Sequence, residues 1–185
     1  DLGAGTGKFT RLLSTLAPTL TAVEPVAAMG AQLTKLLPDV RLVNGTAESI
    51  PLPSASADAV VCAQAFHWFS TEAALAEIHR VLKPDGRLGL VWNVRDESVD
   101  WVAAITEIIT PYEGDTPRFH TGRWREAFTG EYFSDPEVTC FPYSHVGSPQ
   151  EVIMDRFLSV SFIAALPDAP KAVVTAQLQA LIDTH

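Results

Sequence analysis

The first seven residues, Asp1-Leu2-Gly3-Ala4-Gly5-Thr6-Gly7, place glycines at alternate positions between an apolar strand end and the start of a helical pattern. Glycine tolerates positive φ and has no Cβ, so such a turn lets backbone approach a ligand closely. The helix that follows turns free N–H groups toward the same point. Spacing separates the ligands that use such turns. A dinucleotide fingerprint, G-x-G-x-x-G, would need its third glycine where Lys8 stands. A phosphate-binding P-loop, G-x-x-x-x-G-K-[ST], would need a glycine at Leu2 and a hydroxyl at Phe9. Glu24 follows Gly3 by roughly 20 residues, at the end of the next apolar run, where a carboxylate can accept hydrogen bonds from ribose hydroxyls. Alone, the glycines describe a tight turn and Glu24 a loop carboxylate. Together they describe a site for an adenosine-bearing ligand.

A second constellation is Ala65-Phe66-His67-Trp68-Phe69, which follows the apolar run Ala59–Ala63. In a parallel α/β sheet this is the carboxyl edge, where ligands bind. His67 is a candidate general base or substrate orienter there, and Trp68 a candidate substrate wall; the competing role for His67 is a packed, hydrogen-bonded core histidine. A third segment, residues 111–125, offers Tyr112, Arg118, His120, Arg123 and Trp124 as substrate contacts. An arginine in it can fork onto a carboxylate, although ordinary surface charge accounts for the same residues.

These groups need elements to hold them. Phe9, Leu12, Leu13 and Leu16 recur at helical spacing after the glycines, as do Met29, Leu33, Leu36 and Leu37. Short apolar strands are expected at Leu20–Val23 and Val40–Val43, and strands buried on both faces at Ala59–Ala63 and Leu88–Val94. Between the last two, Ser70 is a candidate N-cap for a helix whose inner face is Leu75, Ile78, Val81 and Leu82. The alternation predicts a Rossmann-like, doubly wound α/β sheet. Beyond Arg95-Asp96 the pattern changes: a helix over Trp101–Ile109, a strand over Val138–Val146, a helix from Pro149 and another over Lys171–Ile182. The division expected is a cofactor-binding core at 1–95 and a cap-like insertion with the rest of the domain at 96–185.

Composition narrows the partners. Hydrophobic residues make up 47% of the 185 and charged residues 19%, the profile of a globular domain. The formal net charge of -9 opposes binding to DNA or RNA, and the arginines of 118–125 are flanked by Glu113, Asp115 and Glu126. No apolar stretch is long enough to span a bilayer and no export signal is present, so a cytoplasmic protein without membrane contact is expected. Cys62 and Cys140 are too few and too far apart for a disulfide framework or a metal knuckle, and no metal is expected.

The motifs D-L-G-A-G-T-G, V-E-P, G-T-A-E-S-I-P-L-P, A-Q-A-F-H-W-F and R-V-L-K-P-D-G-R-L occur in this order over roughly residues 1–95. In this the chain resembles class I S-adenosylmethionine-dependent methyltransferases of the type 11 group. The resemblance implies S-adenosylmethionine as cofactor and a small-molecule methyl acceptor, at oxygen or nitrogen and including small carboxylic acids. It implies that Asp1, Gly3, Gly5 and Gly7 line the methionine end, Glu24 holds the ribose, and Pro25 and Met29 flank the adenine. Thr46, Ala47 and Glu48 then lie at the adenine edge and Gln64 beside the methionine moiety. Two positions depart from the family pattern: Thr46 stands where an aspartate is common, and Asp85 where a second glycine is usual. Competing functions are a nicotinamide-dependent oxidoreductase and a non-catalytic cofactor-binding protein. By the same resemblance the sheet has seven strands. The chain is then expected to lack most of the first and all of the last, to extend at both ends in nature, and to fold poorly as this segment alone.

Overall fold

The computed structural model describes residues 1–185, and four parallel strands organise its first half. After the glycine turn come α1 (Thr10–Leu13), β1 (Thr21–Val23), α2 (Ala27–Leu36), β2 (Arg41–Val43) and β3 (Ala57–Ala63). A 3-10 turn at Phe66–Trp68, α3 (Glu72–Val81) and β4 (Leu82–Val91) follow. β1 pairs with β2 and β3 with β4, both in parallel. Leu2 joins the two pairs: its N–H donates to the carbonyl of Val61 at 2.8 Å, and it bridges in parallel to Val23. The spatial order is therefore β2, β1, Leu2, β3, β4, and every strand's carboxyl end lies on one edge.

Two compact units can be distinguished. The first is Asp1–Asn93 with Pro117–Glu137, and the second is Val94–Thr116 with Val138–His185. The first unit's core contains Leu2, Val23, Cys62, Phe66, Leu75, Ile78, Val81 and Trp124. Its best-defined helix is α3, where Thr71 in an extended conformation accepts a hydrogen bond from the Ala74 N–H at 3.1 Å. The cap is thus Thr71 and not Ser70, one residue later than the composition suggests; either hydroxyl is a suitable cap, and the backbone conformation decides between them. The second unit is helical, with α4 (Asp100–Ile109), a π-helical turn at Gln150–Asp155, α5 (Arg156–Leu158), α6 (Ser161–Ala164) and α7 (Asp168–Thr184). Ile105, Ile109, Phe157, Ile163, Val174 and Leu178 form its core.

Three expected elements differ. The Phe9–Leu16 stripe does not become an inner helix face: Leu12 is 55% and Leu16 80% exposed, and the buried residue of α1 is Thr10. The hydroxyls of Ser14 and Thr15 bond back to the carbonyls of Arg11 and Leu12, an alternative to helix propagation that ends α1 early. In α2, Leu33 is fully buried while Met29 and Leu36 are not, because Gly30 fills the inner face where Leu42 approaches. Val138–Val146 is not a strand. It has no pairing partner, and Phe141 and Val146 are more than 80% exposed; β-branched and aromatic residues need a neighbouring strand to make one. The Lys83–Gly86 segment bulges between the Ala57–Leu82 and Ala59–Arg87 pairings, with Asp85 at φ 67°. Aspartate is one of the few non-glycine residues that tolerates such a left-handed turn.

The burial pattern is testable by paired truncation. Ile78→Ala should cost about 2–5 kcal/mol in urea unfolding, as expected for a fully buried aliphatic side chain. Leu16→Ala should stay within about 0.5 kcal/mol of the parent.

Candidate functional site

The glycine turn runs from Leu2 across the carboxyl ends of β1 and β3, with Gly3, Gly5 and Gly7 at φ 70°, 57° and 84°. All three need a left-handed backbone, but their surroundings differ. A Cβ on Gly3 would lie 2.8 Å from the Cβ of Ala65, and one on Gly7 would lie 3.0 Å from Cγ of Leu33. Those two glycines allow the turn to pack against the 3-10 segment and α2. A Cβ on Gly5 would meet nothing within 4 Å. Gly5 is the point where the turn faces open space.

Glu24 holds that turn in place. It is 6% exposed; Oε2 accepts the Gly5 N–H at 2.8 Å and Oε1 accepts the Val26 N–H at 2.9 Å. One carboxylate therefore ties the glycine turn to the loop after β1. Each oxygen uses one lone-pair site in this way and retains capacity for another donor. Asp1 adds a second acceptor. Its Oδ2 accepts from the Thr10 hydroxyl at 2.6 Å, whereas Oδ1 is buried with no hydrogen-bond partner. A buried, unmatched carboxylate oxygen is costly unless a donor reaches it. Open space at Gly5, spare capacity on Glu24 and the unmatched oxygen of Asp1 suit a ligand that brings hydroxyls and an amine. The residues present fit a nucleoside that carries an amino acid.

The other residues expected around such a ligand are distributed along the same edge. Pro25 and Met29 are exposed beside Glu24, and Asn44 donates to the Pro25 carbonyl at 3.2 Å. Thr46 and Glu48 are exposed, whereas Ala47 is buried. Gln64 follows β3 in a left-handed conformation, φ 56°, with its N–H donating to the Val91 carbonyl. A non-glycine residue held there is strained, and such positions concentrate at functional sites.

His67 sits in the 3-10 turn just beyond. Its Nδ1 accepts the indole N–H of Trp92 at 3.1 Å, and its ring lies against Trp68, which is 53% exposed. Burial, and secondarily the positive charge of Arg118, push its pKa down to about 4. The ring is therefore neutral near pH 7, with Nδ1 as acceptor and the proton on Nε2. Trp92, a residue the sequence did not single out, supplies that contact; nothing in its local pattern distinguished it from a strand-end apolar residue.

The 111–125 candidates separate. Arg118, Arg123 and Trp124 belong to the same unit as His67, whereas Tyr112 belongs to the second unit. Arg118 is near enough to influence the His67 ring, and Arg123 is exposed. Trp124 is buried away from the surface: it is 3% exposed, donates its indole N–H to the Phe119 carbonyl at 3.2 Å, stacks on Phe119 and packs at a tilt against Trp92. Its apolar area is consumed in anchoring 117–137. His120 is exposed on the same segment.

Comparison with known proteins bears on the family and the fold. A family described as a methyltransferase domain matches residues 1–90. An uncharacterised methyltransferase-like protein of Schizosaccharomyces pombe is 42% identical over all of this chain and 72% of its own length. An uncharacterised methyltransferase of Mycobacterium tuberculosis is 38% identical, again over all of this chain and 73% of its own. A crystal structure from Anabaena variabilis, titled as a methyltransferase from an antibiotic biosynthesis pathway, superposes with a TM-score of 0.75. That match covers 99% of this chain and 76% of the other at 22% identity, and so bears on the fold. With an α/β sheet, a glycine turn clamped by an acidic residue and relatives of this kind along its whole length, the chain belongs to the class I S-adenosylmethionine-dependent methyltransferases.

Proposed function

We propose that this protein transfers the methyl group of S-adenosylmethionine to a small-molecule acceptor that binds beside His67 at the carboxyl edge of the sheet. The observation that carries the reading is the turn at Gly5, open on one side and fixed on the other by the Glu24 carboxylate. When bound, the sulfonium supplies an electrophilic methyl carbon and a neutral thioether leaving group.

The chain's own work is binding, alignment and exclusion of water. Glu24 receives the ribose hydroxyls on its remaining lone pairs. Asp1 Oδ1 receives the amino group, and Gly3, Gly5 and Gly7 keep the backbone close to the methionine end. Pro25 and Met29 cover the adenine, with Thr46, Ala47 and Glu48 at its edge and Gln64 beside the methionine moiety. Thr46 offers the adenine amino group a hydroxyl where relatives commonly offer a carboxylate, a weaker acceptor for it. Trp68, Arg118 and Arg123 are the acceptor-facing candidates of the first unit. A net charge of -9 favours a small acceptor over a nucleic acid. No helix is long and apolar enough to cross a membrane.

Incubation with methyl-labelled S-adenosylmethionine and fractionated metabolites tests the reading: label should move to a compound of low molecular mass, and its absence from every fraction would contradict the proposal. Glu24→Gln should lower S-adenosylhomocysteine affinity by about 10–100-fold, since the amide N–H₂ would face the N–H of Gly5 or Val26. Unchanged affinity in calorimetry would remove Glu24 from the ribose. His67→Ala should depress turnover while leaving that affinity within about twofold; a loss of thermal stability alone would return His67 to the core.

A further inference from the structure

The Trp92 indole N–H points at one particular nitrogen of His67, and the sheet explains why. Trp92 is the residue after β4, and β4 is paired to β3 through Cys62–Leu90 and Ala63–Val91. The 3-10 turn that carries His67 leaves β3 after two further residues. The two rings thus leave adjacent strands at nearly the same level, with centroids 6.4 Å apart and Nε1 3.1 Å from Nδ1. Trp92 is itself held. Its ring centroid is 4.7 Å from that of Trp124 and 4.9 Å from that of Phe119, and Arg125 lies over the Trp124 ring at 4.4 Å. An indole is donor only, so the nitrogen it addresses must be an acceptor.

We infer that Trp92 is a positioning residue for methyl transfer: it fixes His67 with Nδ1 as acceptor and Nε2–H directed outward, so that His67 serves the methyl acceptor as a hydrogen-bond donor and not as a base. This rests on the reading that the acceptor binds beside His67. The depressed basicity of the ring agrees with it, and the charged group the structure sets against the ring is Arg118, which also disfavours a second proton. In the transfer, an acceptor lone pair forms the bond to the methyl carbon while the carbon–sulfur pair returns to sulfur. A proton carried by the acceptor then leaves to solvent water. His67 Nε2–H holds an acceptor-side oxygen in line, and Trp92 prevents the flip or tautomer change that would present a lone pair instead.

The test compares three variants of the full chain. Nitrogen-15 spectra of histidine-labelled protein at neutral pH, with His67 assigned from its loss in His67→Gln, should show wild-type His67 protonated on Nε2 alone. Trp92→Phe keeps an aromatic ring in the cluster but removes the donor. It should show mixed His67 tautomers and a kcat lowered by about tenfold, with cofactor affinity unmoved. His67→Gln retains an N–H donor near the Nε2 position and no base, so its kcat should stay within about tenfold of wild type, while His67→Ala falls by about 100-fold, the scale of losing a positioned donor. Any of these results would overturn the inference: an Nδ1–H tautomer in the wild type, an unchanged tautomer in Trp92→Phe, or His67→Gln as inactive as His67→Ala. Mixed tautomers in Trp92→Phe with unaltered kcat would also overturn it, yet leave the methyltransferase reading standing. Absence of any wild-type methyl transfer would instead fail that reading, and the tautomer spectra would still decide what Trp92 does.

Discussion

The site depends on one buried carboxylate. Glu24 accepts one backbone N–H from the glycine turn and one from the loop after β1, so two segments separated in sequence are fixed by a single side chain. Charge-assisted bonds of this kind are stronger than neutral ones, and here they replace hydration that a residue 6% exposed has given up. Without that clamp the turn has little to hold it on its ligand side, because Gly5 makes no side-chain packing of its own. Gly3 and Gly7 are constrained by packing instead. Each lies where any side chain would collide, with Ala65 in one case and Leu33 in the other. A glycine turn is therefore less a ligand loop with three equivalent positions than two packing contacts around one open residue.

A second structural device surrounds His67. Residues 117–137 add to the first unit through aromatic rings: Trp124, Phe119 and Phe128 pack on Trp92 and Phe66. Such pairs contribute about 0.5–1.5 kcal/mol each beyond the area they bury. Because the same rings surround Trp92, the packing that attaches the segment also sets the orientation of His67. Fold stability and site geometry thus share side chains at this edge. The glycine edge is different, since there hydrogen bonds dominate.

Part of the candidate site's geometry is legible in residue types. The glycine spacing and the acidic residue beyond it are local signals, as are the apolar run of β3 and the stripe of α3, because each needs only its own neighbours to be interpreted. What could not be read depends on partners remote in sequence. Thr10 carries no local signal, yet its hydroxyl donates to Asp1. Trp124 is a substrate candidate by residue type, and its burial against Trp92 and Phe119 depends on partners outside its own segment or strand. Trp92 itself carried no signal, since an indole at a strand end becomes meaningful only when a histidine is found opposite it. The run Val138–Val146 shows the opposite error: strand propensity was present, but no strand lies beside it to pair with. Hydrogen-bonding side chains next to a stripe also matter, as Ser14 and Thr15 show by closing α1 within one turn.

The central claim is that the open turn at Gly5, clamped by Glu24, is built for S-adenosylmethionine and not for a dinucleotide. Parallel calorimetric titrations of the protein with S-adenosylhomocysteine and with NADH test it most directly. Saturable one-to-one binding of S-adenosylhomocysteine with no heat from NADH is the predicted result. Binding of NADH in preference to S-adenosylhomocysteine would contradict it.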